Sequence, residues 1–179
     1  MVDGREVDVA RAYAGAEGRY EDYVLLQMLE REWKRPLTEA DLPHGPGRTD
    51  GPAARAVIVV MFWTYFETKI ERLLRACLRE VPLRIAEDLL SRYASVTARV
   101  DRLYKILFET TYWRDLEDAG FSGVSTLLQQ VRDGRNRFTH GTPSAISEDL
   151  VTAVVASLKQ EHESWIAVYN RRATQAQQW

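Results

Sequence analysis

Apolar residues spaced three and four positions apart run through most of this chain, and this spacing constrains the fold more than any other feature. It places apolar side chains on one face of an α-helix. Residues 56–66, "AVIVVMFWTYF", are apolar nearly all round, which is typical of a helix at the centre of a bundle or in an oligomer interface. No segment alternates apolar and polar residues as a strand does. The sequence therefore predicts an all-α protein.

The same spacing predicts an up-and-down bundle of four to five helices. The helical segments are residues 6–34 (with an interruption at Gly15 or Gly18), 53–79, 82–110, one from about Val124 to the Gly141 and Pro143 stop signals, and 147–172. Residues 35–52 hold four prolines and three glycines, which favour an exposed loop. The predicted organisation is an N-terminal extension over 1–52, a helical bundle over 53–172 and a frayed tail over 173–179.

Composition limits the classes of function. The net charge of the 179 residues is −2, so any binding of nucleic acid must depend on a local cluster of basic residues. The single cysteine, Cys77, excludes an internal disulfide, and a reduced compartment is the simpler assumption. The N-terminus lacks the order of a signal peptide, and the apolar run is about half as long as a spanning helix. We expect a cytoplasmic protein that does not associate with membranes.

The segment "VRDGRNRFTHGTP", residues 131–143, places three arginines, an asparagine and a histidine close together. On a helix, Arg132, Asn136 and His140 share one face because they are four residues apart. Arg135 lies about 140° around the helix from His140, but its long side chain can swing toward the same edge. Asp133 is spaced to pair with Arg137 rather than to reach His140.

This combination suits attack of a ribose 2′-OH on its own phosphodiester without a metal ion. The reaction needs a group that exchanges a proton near neutral pH, and histidine is the side chain that does so without perturbation. It also needs a cation at the developing charge, which arginine supplies with two parallel hydrogen bonds. Asn136 is placed to orient the imidazole or to bind phosphate. With three histidines and no paired Cys/His spacing, the sequence predicts neither a metal site nor a cofactor.

A purely structural interpretation of these residues stays open. The helix macrodipole favours arginine and histidine near a C-terminus, and Gly141 and Pro143 are ordinary helix endings. Two observations favour function instead. Gly134 stands inside the predicted helix at a cost of about 1 kcal/mol relative to alanine. Three arginines also crowd into two turns of a slightly acidic chain.

The stretch from Arg135 to Gly141 resembles the R-N-x-x-x-H(-G) motif of the HEPN superfamily (higher eukaryotes and prokaryotes nucleotide-binding domains). Members are small helical bundles in which the motif closes one helix and another amphipathic helix follows. The pair Phe66-Glu67 in the apolar helix also resembles the family. The resemblance covers about residues 53–172 and leaves the first fifty as an extension.

The resemblance implies a metal-independent endoribonuclease that leaves 2′,3′-cyclic phosphate and 5′-OH ends. Arg135 would bind the scissile phosphate, His140 would act as general acid or base, and Asn136 would support the geometry. Arg132, Arg137 and Glu67 are further candidates for substrate binding. The implied partners are RNA, a second copy joined through the motif helices, and an antitoxin or defence protein.

Thr142 departs from one toxin branch of the family, which has tyrosine at that position. Many members lack activity, and a non-catalytic module that binds nucleotide, RNA or protein is the alternative. A plain helical interaction domain is the third hypothesis. His44 and His162 are interpreted as structural or surface residues, Tyr112 and Trp113 as core aromatics rather than base-stacking residues, and Arg171 and Arg172 as a solvated pair.

Overall fold

The computed structural model describes residues 20–38, 41 and 53–175, and these residues form helices without any strand. Their helices are α1 (Tyr20–Lys34), α2 (Ala56–Cys77), α3 (Leu83–Arg92), α4 (residues 96–108), α5 (Tyr112–Asp118), α6 (Ser122–Thr139) and α7 (Glu148–Gln175). α4 runs through Val96–Ala98, a π-helical segment Arg99–Leu103, and Tyr104–Phe108. The all-α prediction is confirmed. The predicted number of helices, four to five, is wrong, since the described ranges alone contain seven.

The extra helices arise from caps that the apolar spacing does not reveal. The predicted helix 82–110 is two helices, because Ser95 starts α4 by accepting a hydrogen bond from the backbone N–H of Ala98 at 3.2 Å. Thr111 starts α5 in the same way, accepting from the N–H of Arg114 at 3.2 Å. The apolar stripe continues across both breaks, so it predicts helix but not where a helix stops.

Within the described ranges the chain divides into two compact units. The first unit comprises residues 67–122 and 162–175, and the second comprises 20–38, 41, 53–66 and 123–161. α2 and α7 each contribute residues to both units. The core of the first unit includes Ile70, Leu73, Leu74, Tyr104, Leu116 and Trp165, and that of the second includes Leu29, Ile58, Phe62, Leu128, Val131 and Val154. The predicted tail is 173–179, but α7 continues to Gln175, and residues 176–179 lie outside the described residues. Residues 42–52, before the predicted boundary, lie outside them too.

A buried charged cluster joins three helices of the first unit. Asp115 on α5 accepts hydrogen bonds from the guanidinium of Arg172 on α7 and from the hydroxyl of Tyr104 on α4. Arg172 is 6% exposed, and its guanidinium carbon also lies 5.0 Å from the centre of the Phe108 ring. The interpretation of Arg171 and Arg172 as a solvated pair is therefore wrong for Arg172. The spacing of the sequence could not reveal this, because Asp115 is 57 residues away.

Cys77 is expected to resist thiol reagents in the folded protein. It is 8% exposed, and burial raises the pKa of its thiol to about 12. Only the thiolate reacts, so at pH 8 we expect labelling at least about a hundredfold slower than that of an exposed cysteine. The rate should rise with pH up to the raised pKa, and denaturant should remove the protection. A colorimetric disulfide reagent measures this, and rapid labelling of folded protein at pH 8 would contradict it.

Candidate functional site

The motif lies on the second half of α6, whose amphipathic pattern explains its orientation in the second unit. Val124, Leu128 and Val131 are buried, at intervals of four and three residues. Exposed residues on the opposite side are Thr126, Gln130, Asp133 and Arg137. Packing of the apolar stripe therefore turns one polar face of α6 toward solvent over its length.

His140 stands at an exposed helix end with a defined backbone geometry. Its backbone N–H donates to the carbonyl of Asn136 at 3.1 Å, so helical register continues to His140. Gly141 has φ +91°, and its N–H donates to the carbonyl of Phe138 at 3.1 Å. The N–H of Thr142 donates to the carbonyl of Arg137 at 2.9 Å, which completes a Schellman motif. The prediction that the helix stops at Gly141 is confirmed.

Gly134 is buried where α6 meets the next elements of the second unit. A Cβ atom there would lie 2.9 Å from Cδ2 of Leu150 and 3.1 Å from the carbonyl oxygen of Ala145. Glycine therefore permits close approach of the 3-10 turn Pro143–Ala145 and of the start of α7. This close packing explains why a residue of low helix propensity stands inside α6. Gly134 is therefore no longer an observation that favours a functional interpretation.

Valine at Gly134 is expected to lower the free energy of unfolding by about 1–3 kcal/mol, because its side chain would overlap Leu150 and the Ala145 carbonyl. Gly123, at the start of the same helix, has no atom within 4 Å of the position that a Cβ would occupy, so Gly123→Val is the matched control for helix propensity. Urea unfolding of both variants measures the difference. Equal losses in the two variants would contradict the close approach.

Long-range hydrogen bonds hold the segment that follows His140 at residues 146–148. The carbonyl of Ile146, which is fully buried, accepts a hydrogen bond from the N–H of Ala53 at 2.9 Å. A carboxylate oxygen of Glu148 accepts from the N–H of Ala54 at 2.7 Å. Ser147 accepts from the N–H of Leu150 at 3.2 Å and caps α7. The contacts with Ala53 and Ala54, more than ninety positions away, have no local signal in the sequence.

Arg135 and Asn136 interact directly. One terminal nitrogen of the Arg135 guanidinium donates to the side-chain oxygen of Asn136 at 3.3 Å. Asn136 lies about 40° around the helix from His140, whereas the backbone of Arg135 lies about 140° away. The hydrogen bond thus holds the guanidinium on the His140 side of the helix. Both side chains are half-buried, while His140 is exposed.

The other two arginines of the motif differ from one another. Nε of Arg132 lies 3.2 Å from a carboxylate oxygen of Asp133, and the Arg132 side chain is 20% exposed. The predicted pairing of Asp133 with Arg137 is absent from the ion pairs of the described residues. Arg137 is exposed and has no carboxylate within ion-pairing distance in that part of the chain. The end of α6 is therefore rich in cations and poor in acids.

The remaining candidates are buried, half-buried or outside the described residues. Glu67 is half-buried and belongs to the first unit, whereas the motif belongs to the second. His162 is 5% exposed, and His44 lies outside the described residues. Tyr112 is fully buried with its ring centre 5.7 Å from that of Tyr104, edge to face. Nε1 of Trp113 donates to Asp101 at 2.7 Å. These contacts favour aromatic packing over base stacking.

No group of three or more His, Cys, Asp or Glu side chains in the described ranges is arranged to hold a metal ion. Within the same ranges, no helix is both long and apolar enough to cross a bilayer. No known protein family, no curated protein and no solved structure matches this chain. The basis for a functional assignment is therefore the motif and its geometry.

Proposed function

We propose that this chain is a HEPN-like, metal-independent endoribonuclease, with Arg135, Asn136 and His140 as its site. The proposal includes a cytoplasmic homodimer joined through α6 and an antitoxin or defence partner. The observation that carries it is the hydrogen bond from Arg135 to Asn136, which holds a guanidinium on the side of the helix that carries the exposed His140. A phosphodiester at this helix end can contact a cation and a proton-transfer group together.

The roles follow from the charge changes of the reaction. The ribose 2′-oxygen attacks phosphorus, the bond from phosphorus to the 5′-oxygen breaks, and 2′,3′-cyclic phosphate and 5′-OH ends form. One proton leaves the 2′-OH and one reaches the 5′-oxygen, and His140 carries out one of these transfers. Arg135 stabilises the charge on the non-bridging oxygens, and Asn136 holds Arg135 in place. The exposed position of His140 leaves room for substrate.

The same geometry supports a second candidate, a module that binds RNA or nucleotide without cleaving it. The exposed, acid-poor end of α6 that carries Arg137 and His140 attracts phosphate whether or not a proton is transferred. Activity requires His140 to reach the reacting oxygens, whereas binding requires only the cations. The two functions therefore differ in the effect of His140→Ala, which should abolish cleavage but weaken binding only slightly.

The test uses the full chain with single-stranded RNA in the presence of EDTA. We expect cleavage fragments whose 5′-OH ends accept phosphate from polynucleotide kinase without prior dephosphorylation, and whose 3′ ends resist extension until the cyclic phosphate is removed. The double variant Arg135→Ala/His140→Ala should lack this activity. Equal cleavage by both proteins would indicate a contaminating nuclease and overturn the proposal. RNA binding without cleavage by the natural sequence would favour the second candidate.

A further inference from the structure

We infer that Arg137 binds the phosphate adjacent to the scissile phosphate, so that the site holds two successive phosphates of one RNA strand on two sides of His140. This inference rests on the proposed ribonuclease function. It gives Arg137 a role different from that of Arg135, and it is based on the helical positions and ion pairs at the end of α6.

Arg137 and the Arg135–Asn136 pair flank His140 on opposite sides. At roughly 100° per residue, Arg137 lies about 60° from His140 in one direction, and Asn136 lies about 40° away in the other. The hydrogen bond at 3.3 Å from Arg135 brings its guanidinium to the Asn136 side. Register is preserved across this stretch because the His140 N–H donates to the Asn136 carbonyl at 3.1 Å. The helical positions of Arg137 and of the Arg135–Asn136 pair therefore flank that of His140.

The separation of the two sides is larger than one phosphate group. On a helix about 10–12 Å across, positions about 100° apart are separated by roughly 8 Å at the surface. Two successive phosphates of an extended strand match that separation, so each guanidinium can contact a different phosphate. If Arg135 binds the scissile phosphate, Arg137 is positioned to bind the adjacent phosphate.

Arg137 is also an arginine of the motif whose charge is available to an external anion. It is exposed and has no ion pair within the described parts of the chain. Arg132, by contrast, has a side chain that is 20% exposed and is paired with Asp133 at 3.2 Å. A competing explanation is that Arg137 only interacts with the helix macrodipole as an exposed cation in the last turn. In that case its removal should lower the stability of the protein and leave RNA binding and cleavage unchanged.

The experiment compares RNA oligomers that carry one neutral methylphosphonate linkage, placed immediately 5′ or 3′ of the mapped cleavage site. For the natural sequence, we expect one of these two substitutions to lower kcat/KM about tenfold, because it removes one charge-assisted contact. Arg137→Ala should lower kcat/KM on the all-phosphate RNA about tenfold through KM, with kcat nearly unchanged. In the Arg137→Ala variant, the neutral linkage that slows the natural sequence should then lower kcat/KM by less than about twofold. Arg92→Ala is the matched control, because it removes an arginine whose side chain is 70% exposed.

Each outcome decides the inference. The losses in kcat/KM from Arg137→Ala and from the neutral linkage could instead multiply. That result would show that Arg137 does not contact this phosphate, and it would overturn the inference. A change in Tm without a change in KM would leave Arg137 as a helix-end cation and would also overturn it. If Arg137→Ala has no effect while the natural sequence cleaves RNA, the inference fails and the proposed function stands. If the natural sequence cleaves no RNA, both fail.

Discussion

Replacement of His140 by alanine is expected to lower kcat for RNA cleavage by about 10²–10⁴-fold, the contribution typical of a positioned acid or base. The imidazole is exposed at the end of α6, and its removal leaves the backbone hydrogen bonds of the Schellman motif intact. KM and Tm should therefore change little. Initial rates with end-labelled RNA in EDTA, together with thermal unfolding by circular dichroism, measure both effects.

The neighbouring residues provide a graded comparison. Arg135→Ala should lower kcat by about 10²–10³-fold, the loss seen when one donor to a developing oxyanion is removed. Asn136→Ala should lower kcat less, because the Arg135 guanidinium remains and loses only the hydrogen bond that orients it. Arg92→Ala should leave the rate unchanged. Residual activity of His140→Ala above about a tenth of the natural rate would exclude proton transfer by this residue.

Replacement of Asp115 by alanine is expected to lower the free energy of unfolding by about 3–5 kcal/mol, because it leaves the buried Arg172 guanidinium without its carboxylate. The hydroxyl of Tyr104 loses its acceptor in the same substitution. Burial and the hydrogen bond to Asp115 together raise the pKa of Tyr104 well above its ordinary value, which agrees with a neutral hydroxyl that donates. Urea unfolding followed by far-ultraviolet circular dichroism measures the loss.

Asp118 on the same helix supplies the matched control. It lies 3.0 Å from Arg114, and the two side chains are 40% and 66% exposed, so Asp118→Ala should cost about 0.5 kcal/mol or less. In the Asp115→Ala background, Arg172→Met should recover part of the stability by removing the unpaired buried charge. A loss below about 1 kcal/mol for Asp115→Ala, or no recovery with Arg172→Met, would argue against a stabilising buried pair.

Local patterns predicted the parts of the molecule that depend on neighbours in sequence. Apolar spacing predicted α2, α6 and α7, and Gly141 predicted the end of α6, because helix formation and capping involve residues within about one turn. The break between α3 and α4 escaped prediction. The stripe of apolar residues continues across it, and the Ser95 cap that produces the break is a single polar residue among several.

The sequence by itself determined that the protein is helical and that an Arg-Asn-x-x-x-His pattern closes one helix, since both depend on residues a few positions apart. Only the tertiary structure decided what Gly134 does and which acid Arg172 meets. The contacts of Gly134 with Ala145 and Leu150, and the pair between Arg172 and Asp115, join segments that the chain brings together from a distance. Close packing and burial of charge are properties of such contacts, so no local pattern of residues can specify them.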